Sequence, residues 1–181
     1  MKRKWLFLIL FLVLGTLVSC SDPTESDVSI SLKPGVDTVQ INSEYTDPGA
    51  QARAFGFPVS YEVISTTVNI TVLGEYEIIY QVDYKGIVKQ VKRIVTVIDL
   101  IPPVVSLKQG IDTVSIDSQW IDEGVEVSDN SNQDVVISIS GTVNTAKAGD
   151  YVITYEVTDS SGNKTVIYRY VYVIEQTGVI N

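Results

Sequence analysis

The stretch DYVITYEVTDSSGNKTVIYRYVYVIE, residues Asp150–Glu175, contains two segments in which the character of the side chains alternates. Every second residue from Tyr151 to Val157 is apolar or aromatic. From Ile167 to Val173 the odd positions are apolar except for Arg169, and tyrosines occupy the even positions between them. A period of two predicts half-buried antiparallel strands. The polar sequence SSGN between the segments predicts the turn of a hairpin.

The same pattern occurs earlier in the chain, at a fixed offset. The sequence LKPGVDTVQINSEYTDPGA begins at Leu32, and LKQGIDTVSIDSQWIDEGV begins at Leu107. This offset of 75 holds without a gap until Val82, which matches Val157. One extra residue then enters the second copy near Gly162. A repeat of this length predicts two tandem domains.

Short strands separated by turn residues predict an all-β chain in which each repeat is a β-sandwich. Pro102 and Pro103 favour a short, semi-rigid connection, so the domains are expected to lie end to end. The predicted organisation is a signal segment at 1–19, a tether at 20–27, domain 1 at 28–98, a linker at 99–102, domain 2 at 103–175 and a tail at 176–181.

The repeated motif resembles the bacterial immunoglobulin-like repeats of surface proteins, of the DUF5011/DUF5012 type. The resemblance rests on L-x-G-x-D-T-x-x-I-x-S-x-[YW]-x-D-x-G, then A-G-D-Y-x-I-T-Y-E-V-T-D-S-S-G-N and R-x-V-x-V, and it is stronger in domain 2. Members often carry D-G-D before the middle strand, where domain 2 has DNSNQD and domain 1 has AFGFPV. The resemblance implies two immunoglobulin-like sandwiches that act as a spacer or adhesive, without catalytic residues.

The first 20 residues resemble the export signal of bacterial lipoproteins. Three basic residues precede an apolar run from Trp5 to Leu14, which is shorter than the roughly 20 residues of a spanning helix. The run ends in Leu-Val-Ser-Cys, which is similar to a lipobox. The resemblance implies a signal helix removed before Cys20, a diacylglyceryl group on the Cys20 thiol, and a protein anchored in the bacterial cell envelope. The alternative is a secreted protein with one free cysteine.

The composition argues against several classes of function. The chain has no histidine and one cysteine, so it cannot build a Ser-His-Asp triad or a zinc site with imidazole ligands. Of its 13 basic residues three lie in the signal, which leaves ten against 22 acidic residues. This negative charge disfavours nucleic-acid binding. We expect no enzymatic activity, no small-molecule substrate and no cofactor other than the lipid.

Several residues that both copies retain are expected to serve the fold. The aspartates are expected to accept backbone N–H groups at turns, and the glycines to permit those turns. The arginines are expected to begin the last strand, extend to the sheet end and pair with a carboxylate. These residues are Asp47, Gly49, Arg93, Asp122, Gly124 and Arg169.

Features found in only one copy are not needed for the fold, which makes them candidates for function. Tyr168, Tyr170 and Tyr172 correspond to non-aromatic residues in domain 1. Tyrosine combines contact area with a hydrogen-bonding hydroxyl, which suits recognition of a partner or a sugar. The alternatives are cross-strand stabilisation or packing against the other domain.

Phe55 and Phe57 form a second such feature, since Asn130 and Asn132 stand at the matching positions. They could contact a partner, but we expect packing within domain 1 or between the domains.

The third feature is an acidic segment of domain 2. Calcium uses six to eight oxygen ligands, which such a loop could offer. The spacing lacks the EF-hand pattern, so we expect a solvated loop and no metal. The segment contains Asp122, Glu123, Asp129, Asn130, Asn132 and Asp134.

These observations predict a non-catalytic protein for display, spacing or adhesion at the cell surface. Its partner would be an envelope protein, a host-matrix protein or a glycan. The alternative function is accessory glycan binding in polysaccharide uptake.

Overall fold

A computed structural model describes residues 22–175, which form an all-β structure of two sandwiches in tandem. The predicted fold class is confirmed for this part of the chain. Cys20, the predicted signal helix and the predicted tail at 176–181 lie outside the described residues. Between residues 22 and 175, no helix has the length and apolar character needed to cross a membrane.

Domain 1 follows a single 3-10 turn, Glu25–Asp27, and pairs its strands in two sheets. One sheet has the order β1-β3-β4, and the other has the order β2-β7-β6-β5. The strands are β1 (Val28–Leu32), β2 (Thr38–Gln40), β3 (Ala50–Ala54), β4 (Phe57–Val59), β5 (Glu62–Thr66), β6 (Gly74–Tyr84) and β7 (Ile87–Ile98).

Domain 2 repeats this arrangement without a counterpart of β4. Its sheets have the orders β10-β8 and β11-β12-β13-β9. Where domain 1 has β4, domain 2 has the polar sequence of the DNSNQD segment. The strands are β8 (Val104–Leu107), β9 (Thr113–Ser115), β10 (Val125–Ser128), β11 (Val136–Ser140), β12 (Gly149–Thr158) and β13 (Lys164–Ile174).

The predicted hairpin is β12 and β13, joined by a turn that contains Ser160 to Asn163. Residues with inward-facing positions on β13, such as Val171, are buried, whereas the tyrosines between them are exposed. In domain 1 the long hairpin β6–β7 is equivalent. Its residue Val82 packs against Val28, Ala52 and Ala54 of the opposite sheet, which closes the sandwich.

A short strand near the start of each domain pairs in parallel with the last strand of that domain. In domain 1, β2 pairs with β7 from Thr38↔Thr96 to Gln40↔Ile98. In domain 2, β9 pairs with β13 from Thr113↔Tyr172 to Ser115↔Ile174. The other strand pairs of both domains are antiparallel.

The connection between the domains runs from Asp99 to Pro103 and is held on both sides. Gln40 of domain 1 donates from Nε2 to Asp99 Oδ1 at 2.7 Å. Asn163 of domain 2 donates from Nδ2 to the Asp99 carbonyl at 3.2 Å. Asn42 of domain 1 donates directly to the backbone carbonyl of Asn130 in domain 2, at 2.7 Å. Polar contacts therefore define the junction.

Candidate functional site

Each sandwich contains a buried arginine that ties loops to the central hairpin. In domain 2, Arg169 is 1% exposed and its Nη1 donates to both carboxylate oxygens of Asp112, at 2.8 and 3.1 Å. Its Nη2 donates to the carbonyls of Lys108 and Gly124, at 2.6 and 3.2 Å. The guanidinium thereby fixes the segments on either side of β9, which is a structural function.

Arg93 makes the same contacts in domain 1, with Asp37, Lys33 and Gly49. Burial disfavours its charge, but hydrogen bonds to Asp37 and Tyr80 and the charge of Asp37 outweigh this effect and raise the pKa of Arg93 above its ordinary value. The sequence analysis expected each arginine to pair with a carboxylate. The structure identifies that carboxylate as Asp37 in domain 1 and as Asp112 in domain 2.

The expected position of the arginines in their strands was wrong. Arg93 lies in the middle of β7 and Arg169 in the middle of β13, because these strands begin at Ile87 and Lys164. Both side chains are 1% exposed, and each pairs with a carboxylate as expected. Enclosure is stable because carboxylate and carbonyl oxygens accept hydrogen bonds from both terminal nitrogens of each guanidinium.

A tyrosine and an aspartate complete each network. The hydroxyl of Tyr80 donates to Asp47 Oδ1 at 2.5 Å, and Tyr155 donates in the same way to Asp122. Burial first, and the hydrogen bond to the carboxylate second, raise the pKa of Tyr80 and Tyr155 to about 12. The sequence analysis missed these tyrosines as partners, although their recurrence at the repeat offset marked them.

Asp47 and Asp122 also hold the turns expected of them. Each accepts the N–H of the glycine two residues later, at 2.9 Å. Those glycines, Gly49 and Gly124, have φ of 77° and 75°, a left-handed conformation that favours glycine.

Tyr168, Tyr170 and Tyr172 lie on the outer face of the larger sheet of domain 2. They are 50%, 56% and 44% exposed, and their backbones alternate with the buried positions of β13. Val166 and Ile174 extend the same row at 42% and 49% exposure. The five side chains form an exposed apolar and aromatic row along one strand, which we call the tyrosine row.

The neighbours of the tyrosine row are small or acidic. On the neighbouring strand β12, Asp150 lies opposite Tyr172 and Val152 lies opposite Tyr170. Beyond the far end of the row, Lys164 donates to Glu156 at 2.6 Å. A row of aromatic rings with flanking carboxylates offers stacking surfaces and hydrogen-bond acceptors, which are the groups that hydroxylated ligands use.

Phe55 and Phe57 lie away from the tyrosine row, in domain 1. Phe55 occupies the turn between β3 and β4 with a φ of 50° and meets Tyr84 edge to face, with ring centroids 6.4 Å apart. Phe57 begins β4 and is 74% exposed. The structure thus gives Phe55 a local contact within domain 1 and does not unite the two phenylalanines with the tyrosines.

The acidic segment of domain 2 does not form one cluster. Asp122 precedes β10 and faces the arginine network, whereas Asp129 follows β10 and meets two aspartates from other parts of the chain. One carboxylate oxygen of each of Asp99, Asp129 and Asp159 lies within 4.8 Å of the other two. These residues could hold a metal ion, and the sequence analysis identified only Asp129 among them.

Comparison with known proteins finds one family model that matches most of domain 2. Residues 110–173 match the family model described as bacterial surface protein, Ig-like domain. No curated protein matches the chain in sequence.

Solved structures that match this chain include two protocadherins and a bacterial protein. The protocadherin GammaB4 extracellular domain is 14% identical over 81% of this chain and 26% of that chain, with a TM-score of 0.36. The M60 catalytic domain with two CBM51 domains from Clostridium perfringens ZmpB is 15% identical over 82% and 31%, with a TM-score of 0.36. The protocadherin gammaB7 EC3-6 cis-dimer is 12% identical over 83% and 52%, with a TM-score of 0.34.

This chain therefore spans between about a quarter and a half of the length of these three solved chains. The family match rests on domain 2 alone, where the motif, the hairpin and the arginine network coincide with the matched range. Residues 110–173, which make up most of domain 2, are thus similar to the Ig-like domain of bacterial surface proteins.

Proposed function

We propose that this protein is a non-catalytic, lipid-anchored component of the bacterial cell envelope, whose two sandwiches hold or present a binding surface away from the membrane. The observation that carries this proposal is the match of residues 110–173 to a surface-protein Ig-like domain. The repeated motif and the shared arginine network extend the same architecture to domain 1. Immunoglobulin-like sandwiches serve many functions, so the family supports a surface location more directly than it supports a partner.

The anchor in this proposal is Cys20, at the end of the predicted signal. Two or three acyl chains would make attachment durable, because each buried CH₂ contributes about 0.8 kcal/mol. Growth with an alkyne-tagged fatty acid tests the anchor. The protein should take up the label and sediment with membranes, and Cys20→Ser should lose both properties. An unlabelled wild-type protein would contradict lipidation and leave a secreted protein.

A non-enzymatic function agrees with the kind of family that domain 2 matches. The charged groups of the arginine networks bind one another, since Nη1 of Arg169 donates to both carboxylate oxygens of Asp112. Hydrolysis of any glycan or peptide by the purified protein would contradict this part of the proposal.

The second candidate function is glycan binding, and the tyrosine row favours it. Exposed aromatic side chains in a row are a common feature of interaction surfaces. The test is binding of the full chain, in non-ionic detergent, to a panel of polysaccharides and of envelope and host-matrix proteins. The informative variant replaces Tyr168, Tyr170 and Tyr172 with alanine.

A matched control is available because domain 1 carries the equivalent outer face. Lys92, Ile94 and Thr96 stand where domain 2 has the tyrosines, and their alanine variant changes the same positions of the other copy. Binding that is lost in the tyrosine variant and kept in the control would assign recognition to domain 2. Binding that survives in both variants would exclude the tyrosine row as the site.

A further inference from the structure

Three carboxylates from separate parts of the chain converge at the junction of the two domains. Asp99 directly follows β7, Asp129 follows β10 and Asp159 follows β12. Asp99 is 5% exposed and Asp159 is 6% exposed, so two of the three are almost completely buried. One oxygen from each residue lies within 4.8 Å of the others.

Two buried oxygens of this cluster have no hydrogen-bond partner, whereas both oxygens of Asp159 accept hydrogen bonds from Ser161 and Asn163. Asp99 Oδ1 accepts from Gln40, Asn130 and the N–H of Ile101, whereas Asp99 Oδ2 is buried and accepts nothing. Asp129 shows the same division, since Ser131 donates its N–H and its hydroxyl to Oδ1 and Oδ2 is left buried. A buried oxygen without a donor destabilises a fold. These two oxygens are therefore free to bind a cation.

No basic side chain supplies that partner within residues 22–175. The arginine networks pair Arg93 and Arg169 with Asp37 and Asp112, and none of the ion pairs in this part of the chain includes an aspartate of the cluster. Carboxylates that share a site repel one another when ionised. In an ordinary structural ion pair a basic side chain neutralises the carboxylate. These three carboxylates lie close together without an arginine or lysine partner.

Domain 1 provides an internal comparison. At the same offset of 75, it has apolar and aromatic residues that pack together, including the edge-to-face ring contact described above. A sandwich of this kind can therefore pack at this end without the three aspartates. The positions equivalent to Asp129, Asn130 and Asp159 are Ala54, Phe55 and Tyr84.

We propose that Asp99, Asp129 and Asp159 bind a calcium ion at the junction of the two domains. Calcium binds carboxylate and carbonyl oxygens at about 2.3–2.6 Å, so two oxygens on one ion lie no more than about 5 Å apart. The cluster meets this limit. The side-chain oxygen of Asn130 is also buried without a partner and is a further candidate ligand. This site differs from the sequence-based expectation of no metal.

The position of the site gives the ion a function in domain geometry. Asp99 belongs to the linker and also contacts Gln40 of domain 1, whereas Asp129 and Asp159 belong to domain 2. An ion bound by all three joins the linker to domain 2 beside the Asn42–Asn130 contact. Calcium would stiffen the pair of domains, and its removal would leave carboxylates that repel one another. The site depends neither on the lipid anchor nor on the tyrosine row.

The first test is thermal unfolding of the full chain with calcium chloride or with EGTA. Extracellular calcium modules have dissociation constants of about 0.1–1 mM, so 10 mM calcium should raise the unfolding temperature by about 5 °C or more. Magnesium chloride at the same concentration controls for ionic strength and should have a smaller effect. An unfolding temperature that is the same in calcium and EGTA would overturn the proposal.

The informative variant is Asp129→Asn, which keeps the Oδ1 that Ser131 uses. It should lose the response to calcium. In EGTA it should be at least as stable as the wild type, because one repelling charge is gone. A purely structural aspartate would instead make the variant less stable in both buffers. Asp134→Asn is the matched control, since Asp134 is an exposed carboxylate of the same segment outside the cluster, and it should respond to calcium as the wild type does.

A second measurement keeps the proposal testable if Asp129→Asn does not fold. Calorimetric titration of the unmodified chain with calcium chloride should give one saturable site per chain. Small-angle scattering of the same samples should show a narrower range of interdomain distances in calcium than in EGTA. Absence of saturable calcium binding at millimolar concentrations would refute the site, whatever the variants do.

Discussion

The substitution Asp112→Ala tests the arginine network in domain 2. It removes the carboxylate that accepts two hydrogen bonds from Arg169, whose side chain is 1% exposed. Leaving one partner of a fully buried ion pair without the other costs about 3–5 kcal/mol. The Asp112 side chain is 35% exposed, and Asp122 remains 3.5 Å from Nε of the arginine, so water and a second carboxylate compensate partly. We therefore expect a loss of about 2–3 kcal/mol.

Urea unfolding followed by tryptophan fluorescence measures the loss of stability in domain 2 selectively. The chain has two tryptophans, Trp5 in the predicted signal and Trp120 in domain 2, so Trp120 is the reporter within the sandwiches. For a domain of this size, urea changes the free energy of unfolding by about 1–2 kcal/mol per molar, so the midpoint should fall by about 1–3 M. Asp134→Ala, at an exposed carboxylate, should leave the midpoint unchanged.

The equivalent change in domain 1, Asp37→Ala, should destabilise domain 1 by a similar amount, because Arg93 is equally buried. Circular dichroism would report that loss, whereas the Trp120 transition should move less than it does in Asp112→Ala. A shift below about 0.5 kcal/mol in Asp112→Ala would refute the reasoning. It would mean that the carbonyl contacts and Asp122 alone satisfy the guanidinium.

The buried tyrosines and the turn glycines give further expectations. Since Tyr80 and Tyr155 have a pKa of about 12 in the fold and unfolded tyrosine about 10, their contribution to stability should be complete below about pH 10 and be lost as the pH rises towards 12. Absorbance titration of the folded protein should show a step near pH 12 from Tyr80 and Tyr155, and the absence of that step would contradict this expectation. Gly124→Ala should cost about 1–2 kcal/mol, because the added Cβ meets open space and only its left-handed φ is unfavourable. Gly49→Ala should cost more in the same unfolding assay, because its Cβ would lie 2.6 Å from the hydroxyl of Tyr61, and equal losses would contradict the clash.

The alternation of side chains was sufficient to predict the strands that form the centre of each sandwich. Val171 and Val173 are buried and Tyr170 and Tyr172 are exposed because neighbouring residues of a strand face opposite sides of the sheet. The internal repeat also indicated which residues serve the fold, because Asp47 and Asp122 recur at the same offset and hold the same turn in both copies. These inferences needed only local periodicity and comparison of the two copies.

The junction cluster could not be predicted in the same way. Asp99, Asp129 and Asp159 are separated by 30 residues at each step, and only the packed arrangement of three loops brings them together. The sequence analysis grouped Asp129 with Asp122, which lies at the opposite end of β10. The short sequence separation of Asp122 and Asp129 was misleading, because β10 lies between them and places them at opposite ends of the sandwich.

The parallel pairing of β2 with β7 and of β9 with β13 has a mechanical consequence. When tension is applied along the chain, the first strand of each pair is drawn towards its amino end and the last strand towards its carboxyl end. Because the two strands run in the same direction, this force shears their hydrogen bonds together, whereas an antiparallel hairpin pulled at its open end separates one bond at a time. A chain of such domains between a membrane and a ligand would resist stretching through these short patches, and unfolding under load would begin where they break.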